Sequence, residues 1–502
     1  MSLAVIKSRA QAGIRAPQVF IEVHLSNGLP GLSIVGLAET AVKESKDRVR
    51  SAIINSGFSF PLRKITVNMA PADLPKEGGR FDLPIALGIL AASGQCPIEA
   101  LEDYEFAGEL ALGGQLRGIR GVLPFALSTL KAKRRLIIPK VNHLEVSLVK
   151  NLEAYQARDL KGVIDHLNAL EKLEKIKTNS QIPFYQSDIN LSDVKGQFQA
   201  RRALEISAAG GHNMLLIGPP GTGKTMLASR LNTILPPLTE KEALETASVA
   251  SIHGAQKIAQ KFFMRPFRAP HHTASAAALV GGGSQPKPGE ISLAHFGVLF
   301  LDELPEYDRT VLEVLREPLE SGHITISRAN RNAEFPAKFQ LIAAMNPCPC
   351  GFLGSQNRNC SCTEAQVKRY QSKLSGPLLD RIDLHVEVPD LPKGLLSDQK
   401  TQYEDSESVR KRVLSAHKKQ IKRQGCMNHQ LVGKKIDHFC HLNKKEASLL
   451  DQAIERLNLS ARAYHRILKV SRTIADLNEA TEITTAHITE ALNYRKLDRY
   501  IQ

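Results

Sequence analysis

The chain has 502 residues, 42% of them apolar, with a formal net charge of +15 and a pI near 9.4. That length allows about three folded domains, and the apolar content without a long low-complexity tract excludes a disordered polymer or a small disulfide-bound scaffold. The basic excess points to a polyanionic partner, because neutralising phosphates releases counterions; a soluble basic enzyme is the plainer alternative.

Residues 1–168 are expected to form a first domain, with strands over 18–25 and 32–36 ended by Gly or Pro. Residues 38–56 and 82–93 have the apolar spacing of helices, so an α/β or α+β sandwich is expected. Two segments, Pro75-Lys76-Glu77-Gly78-Gly79-Arg80-Phe81-Asp82 and Gly108-Glu109-Leu110-Ala111-Leu112-Gly113-Gly114, resemble the proteolytic domain of Lon proteases. The resemblance implies that domain's fold, of the ribosomal S5 domain 2 type, and not its chemistry. Where the Lon pattern has a nucleophilic Ser this chain has Arg80, and the paired Lys falls near Leu123. A Ser-Lys dyad needs a hydroxyl and an amine in reach of each other, so a non-catalytic scaffold is expected.

Residues 169–187 are read as a linker that begins with a charged helical run, Glu171-Lys172-Leu173-Glu174-Lys175. Beyond it, 188–395 is expected to be an ATPase core. Asp193-Val194-Lys195-Gly196-Gln197 leads into a helix over 200–209, an arrangement similar to the start of AAA+ modules, where the adenine is expected to lie against the turn. The apolar strand 214–217 then runs into Gly218-Pro219-Pro220-Gly221-Thr222-Gly223-Lys224-Thr225, and a helical pattern follows. Strand, glycine-rich turn and helix start are the context a phosphate-binding loop requires. Its backbone N–H groups cradle the phosphates, Lys224 reaches the β- and γ-phosphates, and Thr225 holds Mg²⁺. ATP and Mg²⁺ are therefore the expected cofactors.

Val298-Leu299-Phe300-Leu301-Asp302-Glu303 reads as a buried parallel strand ending in two carboxylates. Asp302 is expected at Mg²⁺, and Glu303 as the group that deprotonates the attacking water. A further apolar strand over 340–345 ends in Asn346, which fits the AAA+ sensor position. Between them, 323–327 and 334–339 flank a hairpin tip carrying Arg328 and Arg331, candidates for DNA contact. His271 and His272, and the glycine loop 281–284, precede the acidic strand where helicase and chelatase relatives carry an insert. For both inserts an ordinary solvated loop is the alternative.

Cys348, Cys350, Cys360 and Cys362 place four thiols within fifteen residues of a polar loop. Zn²⁺ held by four thiolates would stabilise such a loop; reduced thiols or reversible disulfides remain open. In Leu378-Leu379-Asp380-Arg381-Ile382-Asp383, Arg381 stands where rings of the replicative-helicase and chelatase type put an arginine that reaches the neighbouring subunit's γ-phosphate, with a local ion pair to Asp380 or Asp383 as the alternative. Residues 396–440 form a strongly basic connecting segment, a solvated helix face or a phosphate contact. The final stretch, 441–502, is helical and has the size of an AAA+ lid, with Ser460 as an N-cap and Arg462 in the sensor position.

Taken together, these motifs resemble the ComM family of bacterial competence proteins, magnesium-chelatase-like AAA+ ATPases. The resemblance spans nearly the whole chain. It implies a ring, hexameric in this family, of ATP-driven DNA helicase subunits that promote branch migration of single-stranded or branched recombination intermediates during natural transformation. A chelatase-like remodelling ATPase acting on a protein or metal-insertion partner is the second reading, and peptidase activity a distant third. No apolar run is long enough to span a bilayer, the first residues lack the pattern of a signal peptide, and the seven cysteines are unevenly spaced. A cytoplasmic location without membrane attachment is the expectation.

Overall fold

The computed structural model describes residues 3–35, 45–74, 76, 78–178, 188–255, 257–283, 286–328, 331–392, 402–457 and 459–495, with Arg328 and Arg331 described by backbone alone. Residues 38–44, most of 169–187 beyond 178, Ser284 and the hairpin tip, all of which carried expectations, lie wholly or partly outside that set.

The first 176 residues build two four-stranded sheets. In one, the order is Leu3–Arg9, Gln18–Ser26, Lys64–Ala70, Gly31–Val35; the first two pairings are antiparallel and the last is parallel. Alternation of buried and open positions along Gln18–Ser26 fixes which face meets the core. The helix Asp82–Ala92 is buried at every residue, as its apolar run from Leu83 to Ala92 requires, and packs in the same core as these strands. The second sheet runs Tyr104–Phe106, Arg135–Pro139, Ala154–Ala157, Glu174–Lys175. Its last member corrects the helical reading of 171–175: Glu174 and Lys175 pair antiparallel with Ala154–Ala157, and Ile176 turns inward. Two exposed charged residues suit an edge strand, where backbone pairing outweighs helix propensity over so short a run.

The second half is organised on a parallel sheet of β1 (Met214–Ile217), β2 (Phe267–Arg268), β3 (Val298–Leu301), β4 (Gln340–Met345) and β5 (Leu384–Glu387), in the order β2-β3-β4-β1-β5. Strand periodicity splits each strand between two cores. Met214, Leu216, Val298, Phe300, Ile342 and Ala344 face one layer, while Leu215, Ile217, Leu299, Leu301, Leu341 and Ala343 face the other. The first layer holds α1 (Phe198–Gly210), α2 (Lys224–Ile234), α4 (Ser406–Gln424) and the C-terminal helices α5 (Lys444–Leu457), α6 (Ala461–Leu477) and α7 (Thr485–Asn493). Between α2 and α4 in the chain, α3 (Glu240–His253) bridges two cores: Ala243 and Ala247 pack with Val122, Phe125 and Ala126 of the N-terminal half, and Ile252 joins the sheet's second layer. The opposite layer takes in the hairpin His323–Arg328 and Arg331–Pro336 through Ile324, Ile326 and Phe335.

The expected cap at Ser460 is present, accepting a hydrogen bond from the Ala463 N–H at the start of α6; Thr484 also forms a capping box before α7. No helix among the described residues is long and apolar enough to cross a membrane.

Candidate active site

Three neighbouring strands deliver the chemistry to one edge of the sheet. β1 runs into the glycine-rich turn, β3 into Asp302 and Glu303, and β4, lying between them, into Asn346. Ligands of open parallel sheets bind at this carboxyl edge, where helix N-termini also point. Gly223 takes φ 89° as N-cap of α2, a left-handed conformation that a side chain would strain. That turn sets Lys224 at the first position of the helix.

The Lys224 Nζ donates to the carbonyls of Gly218 (2.7 Å) and Pro219 (2.8 Å) and to Asn346 Oδ1 (3.2 Å). Burial pushes its ammonium below the ordinary lysine range, against the opposing pull of Asp302 and Glu303. Among the described residues its hydrogen bonds are all to neutral oxygens. Thr225 Oγ1 donates to Asp302 Oδ2 at 2.6 Å, and Asp302 Oδ1 accepts from the Glu303 N–H at 3.0 Å. A hydroxyl and a carboxylate in contact, both open to solvent, are the oxygen donor set that Mg²⁺ takes together with phosphate oxygens and water. The residues fit the ion, and the loop N–H groups at the N-terminus of α2 fit a polyphosphate.

Glu303 sits at φ 52°, with its carboxylate exposed and His272 Nδ1 3.1 Å away. Sequence reading placed His272 in an insert and gave it no part in the nucleotide site; strand β2 ends close enough to β3 to bring the two together, and only the β2–β3 pairing could have shown it. Tyr307 fixes the same loop by donating to the Pro270 carbonyl at 2.7 Å, and burial raises its phenol to about 12. Gln197, at φ 49°, donates to the carbonyls of Thr222 (3.4 Å) and Pro389 (2.8 Å), tying the turn before α1 to the phosphate loop.

The four cysteines converge. Cys348, Cys350, Cys360 and Cys362 place their sulfurs within 4.8 Å of one another, with 3.4 Å from 348 to 350, 3.7 Å from 348 to 360 and 3.6 Å from 350 to 360. Tetrahedral Zn²⁺ with bonds of ~2.3 Å would set sulfurs ~3.8 Å apart, so the cluster fits that ion. The loop also braces the phosphate turn, because Gly351 lies so close to Pro220 that an added Cβ would fall 2.8 Å from its ring.

The remaining site residues are not gathered at the loop. Arg381 is nearly buried and pairs with Glu320, rather than with the adjacent Asp380 or Asp383, while donating to the Pro377 carbonyl. Arg462 is exposed and lies 3.7 Å from Asp380; one turn along α6, Arg466 pairs with Asp383, which also accepts from His212 at 3.2 Å. The backbones of Arg328 and Arg331 pair at the hairpin end, and their side chains lie outside the described residues.

The basic run of α4 changes character in space. Lys411 pairs with Glu407, Arg412 with Glu205 and Glu404, Lys419 with Glu479, and Arg423 with Asp476. Acids from within and beside α4 (Glu407, Glu404) and from distant parts of the chain (Glu205, Glu479, Asp476) thus pair with four of its seven basic residues, and Val409, Val413 and Ala416 are core.

Family models agree with this layout. The model described as magnesium chelatase, subunit ChlI, matches residues 190–396, that for subunit ChlI of Mg-chelatase matches 21–142, and that for the ChlI C-terminal region matches 403–495. Competence protein ComM of Haemophilus influenzae is 55% identical over 507 residues, covering 100% of this chain and 99% of its own. The chain belongs to the ComM family. YifB of Escherichia coli is 52% identical over 503 residues, covering 100% of this chain and 98% of its own. Lon protease 2 of Bacillus subtilis is 22% identical over 225 residues, 40% of this chain and 41% of its own, in keeping with the Lon-like fold of the N-terminal half. Membership of the ComM family brings a magnesium-chelatase-type AAA+ ATPase module, and with it ATP and Mg²⁺.

Proposed function

We propose that this AAA+ ATPase is a ring-shaped, hexameric DNA motor of the cytoplasm that drives branch migration of single-stranded or branched recombination intermediates during natural transformation. The observation that carries the reading is the position of the hairpin. It is spliced into the chain between β3, which ends at Asp302 and Glu303, and β4, which ends at Asn346, and Ile324, Ile326 and Phe335 pack in the core that also holds Leu301 and Met345. A hairpin rooted there moves with the strands that line the nucleotide. The relative named for competence supports the biological setting.

In this reading Lys224 and the loop N–H groups orient the β- and γ-phosphates, Thr225 and Asp302 hold Mg²⁺, and Glu303 takes the proton of the attacking water. Bound Mg²⁺ supplies positive charge to the phosphate oxygens. Asn346 positions the γ-phosphate, Arg462 senses it from the same subunit, and Arg381 acts across the interface. Arg328 and Arg331 touch the DNA backbone. The four cysteines hold a structural Zn²⁺, the Lon-like half (1–168, extended by the edge strand Glu174–Lys175 and Ile176) is a scaffold, the rest of 169–187 links it to the core of 188–395, and 441–502 is the lid.

The deciding experiment is steady-state ATPase with and without single-stranded DNA at two salt concentrations and several protein concentrations, followed by displacement of a strand from a three-stranded junction. Stimulation that rises cooperatively with protein and weakens with salt is expected. If DNA leaves hydrolysis unchanged at both salts, the motor reading falls and a chelatase-like remodelling ATPase takes its place.

A further inference from the structure

Arg381 presents a contradiction of placement. A guanidinium meant for another subunit's phosphate must be offered outward, yet this one is 9% exposed, donating to the Pro377 carbonyl and paired with Glu320. The arrangement does not look like a finished structural ion pair. Only one guanidinium nitrogen meets the carboxylate, and Nε is buried with no partner among the described residues. A settled arginine–carboxylate pair would use the planar fork, and an orphaned buried donor is costly.

Glu320 connects this arginine to the hairpin. It lies in the short helix Arg316–Ser321, and Gly322 alone separates that helix from the strand His323–Arg328. Gly322 takes φ 73°, and its carbonyl accepts from the Ala337 N–H at 2.8 Å, so the hairpin base and the helix share one left-handed pivot. The Glu320 side chain is 61% exposed, so its pair with Arg381 is weakly held and can yield to a modest movement.

We propose that Glu320 is a positioning residue that holds Arg381 inside its own subunit, and that displacement of the hairpin by bound DNA withdraws Glu320 and releases Arg381 toward the neighbouring γ-phosphate. This rests on the roles given above to Arg381 and the hairpin. It makes the idle ATPase slow by sequestering a charge rather than by leaving the nucleotide site empty.

The test compares Glu320→Gln, Glu320→Asp and Glu320→Gln/Arg381→Ala with the full-length protein, reading kcat and KM for ATP with and without a single-stranded oligonucleotide. Glu320→Gln is expected to raise the DNA-free kcat about fivefold or more with KM for ATP little moved, and to shrink the stimulation ratio correspondingly. Glu320→Asp, which keeps a carboxylate, should give a smaller rise. In the double variant the gain should vanish. A folded, ring-forming Glu320→Gln with wild-type or lower DNA-free kcat overturns the proposal, as does a double variant that keeps the gain. Failure of DNA to stimulate the wild type removes the DNA trigger and the motor reading together, whereas the latch itself is decided by the DNA-free rates.

Discussion

The nucleotide edge and the Lon-like half handle charge in opposite ways. At the phosphate loop, Lys224 is buried among carbonyls and an amide oxygen, and Asp302 and Glu303 face solvent with a hydroxyl and an imidazole for company. In the Lon-like half, the carboxylate of Glu105 is fully buried and takes hydrogen bonds from Arg9, Arg134 and Thr129, while Arg80 is occupied by Gln11 and the Arg120 carbonyl. One region leaves charge waiting for a partner; the other consumes it internally. In the proposed reading, poised groups mark the site and saturated groups the scaffold, even though the scaffold's fold resembles an enzyme's.

Breaking the poised region should have the larger consequence. Lys224→Ala is expected to lower ATPase kcat by ~10²-fold or more, since no other cation in the loop replaces the charged contact; steady-state hydrolysis on well-folded protein checks this, and near-normal turnover would remove Lys224 from the site. Arg9→Met leaves Glu105 buried beside fewer donors and should cost ~3–5 kcal/mol in the unfolding of the N-terminal half, read by denaturant titration, with little change in ATPase while that half is folded.

Asp82 gives a smaller, pH-dependent signal. Burial raises its carboxyl to about 6, with Arg48 opposing, while an unfolded chain would show about 4. Between those values the folded state binds the extra proton, so stability falls as pH rises from 4 to 6 and is flat above. Asp82→Asn should remove that descent, of the order of 1–2 kcal/mol across the window; an unaltered slope in denaturation curves taken at several pH values would assign the proton elsewhere. Least of all should come from Lys419→Ala. Its pair with Glu479 is open to water, and a change under ~0.5 kcal/mol is expected in thermal melts.

What could be read beforehand followed locality. Gly218 to Thr225 carries its own turn chemistry, Ser460 announces a helix start, and the apolar run at 83–92 demands burial wherever it lies. The C-x-C pairs brought four sulfurs into one loop because only nine residues separate them. Contacts across long separations were silent. Nothing in the sequence around Arg381 points to Glu320, and nothing in α4 indicates that Glu205, Glu479 and Asp476 would meet its basic side chains. The short run 171–175 misled because helical spacing over five residues is weaker than the backbone pairing offered by an open sheet edge.

Helix α3 has one more implication, for how such a gene could be divided. Ala243, Ala247 and Ile258 of the ATPase half fill the same core as Val122, Leu123 and Phe125, the Gly121 N–H donates to the Ser251 carbonyl at 3.0 Å, and Ser251 Oγ donates to Glu145 at 2.6 Å. Neither half owns that core. Split within the segment 179–187 and co-expressed, the two polypeptides should find each other and copurify, and the ATPase half made alone should carry a bare oily stripe and clump. The two halves are therefore lodgers under a common wall, and a lineage that lost one would have to repaint the other's surface.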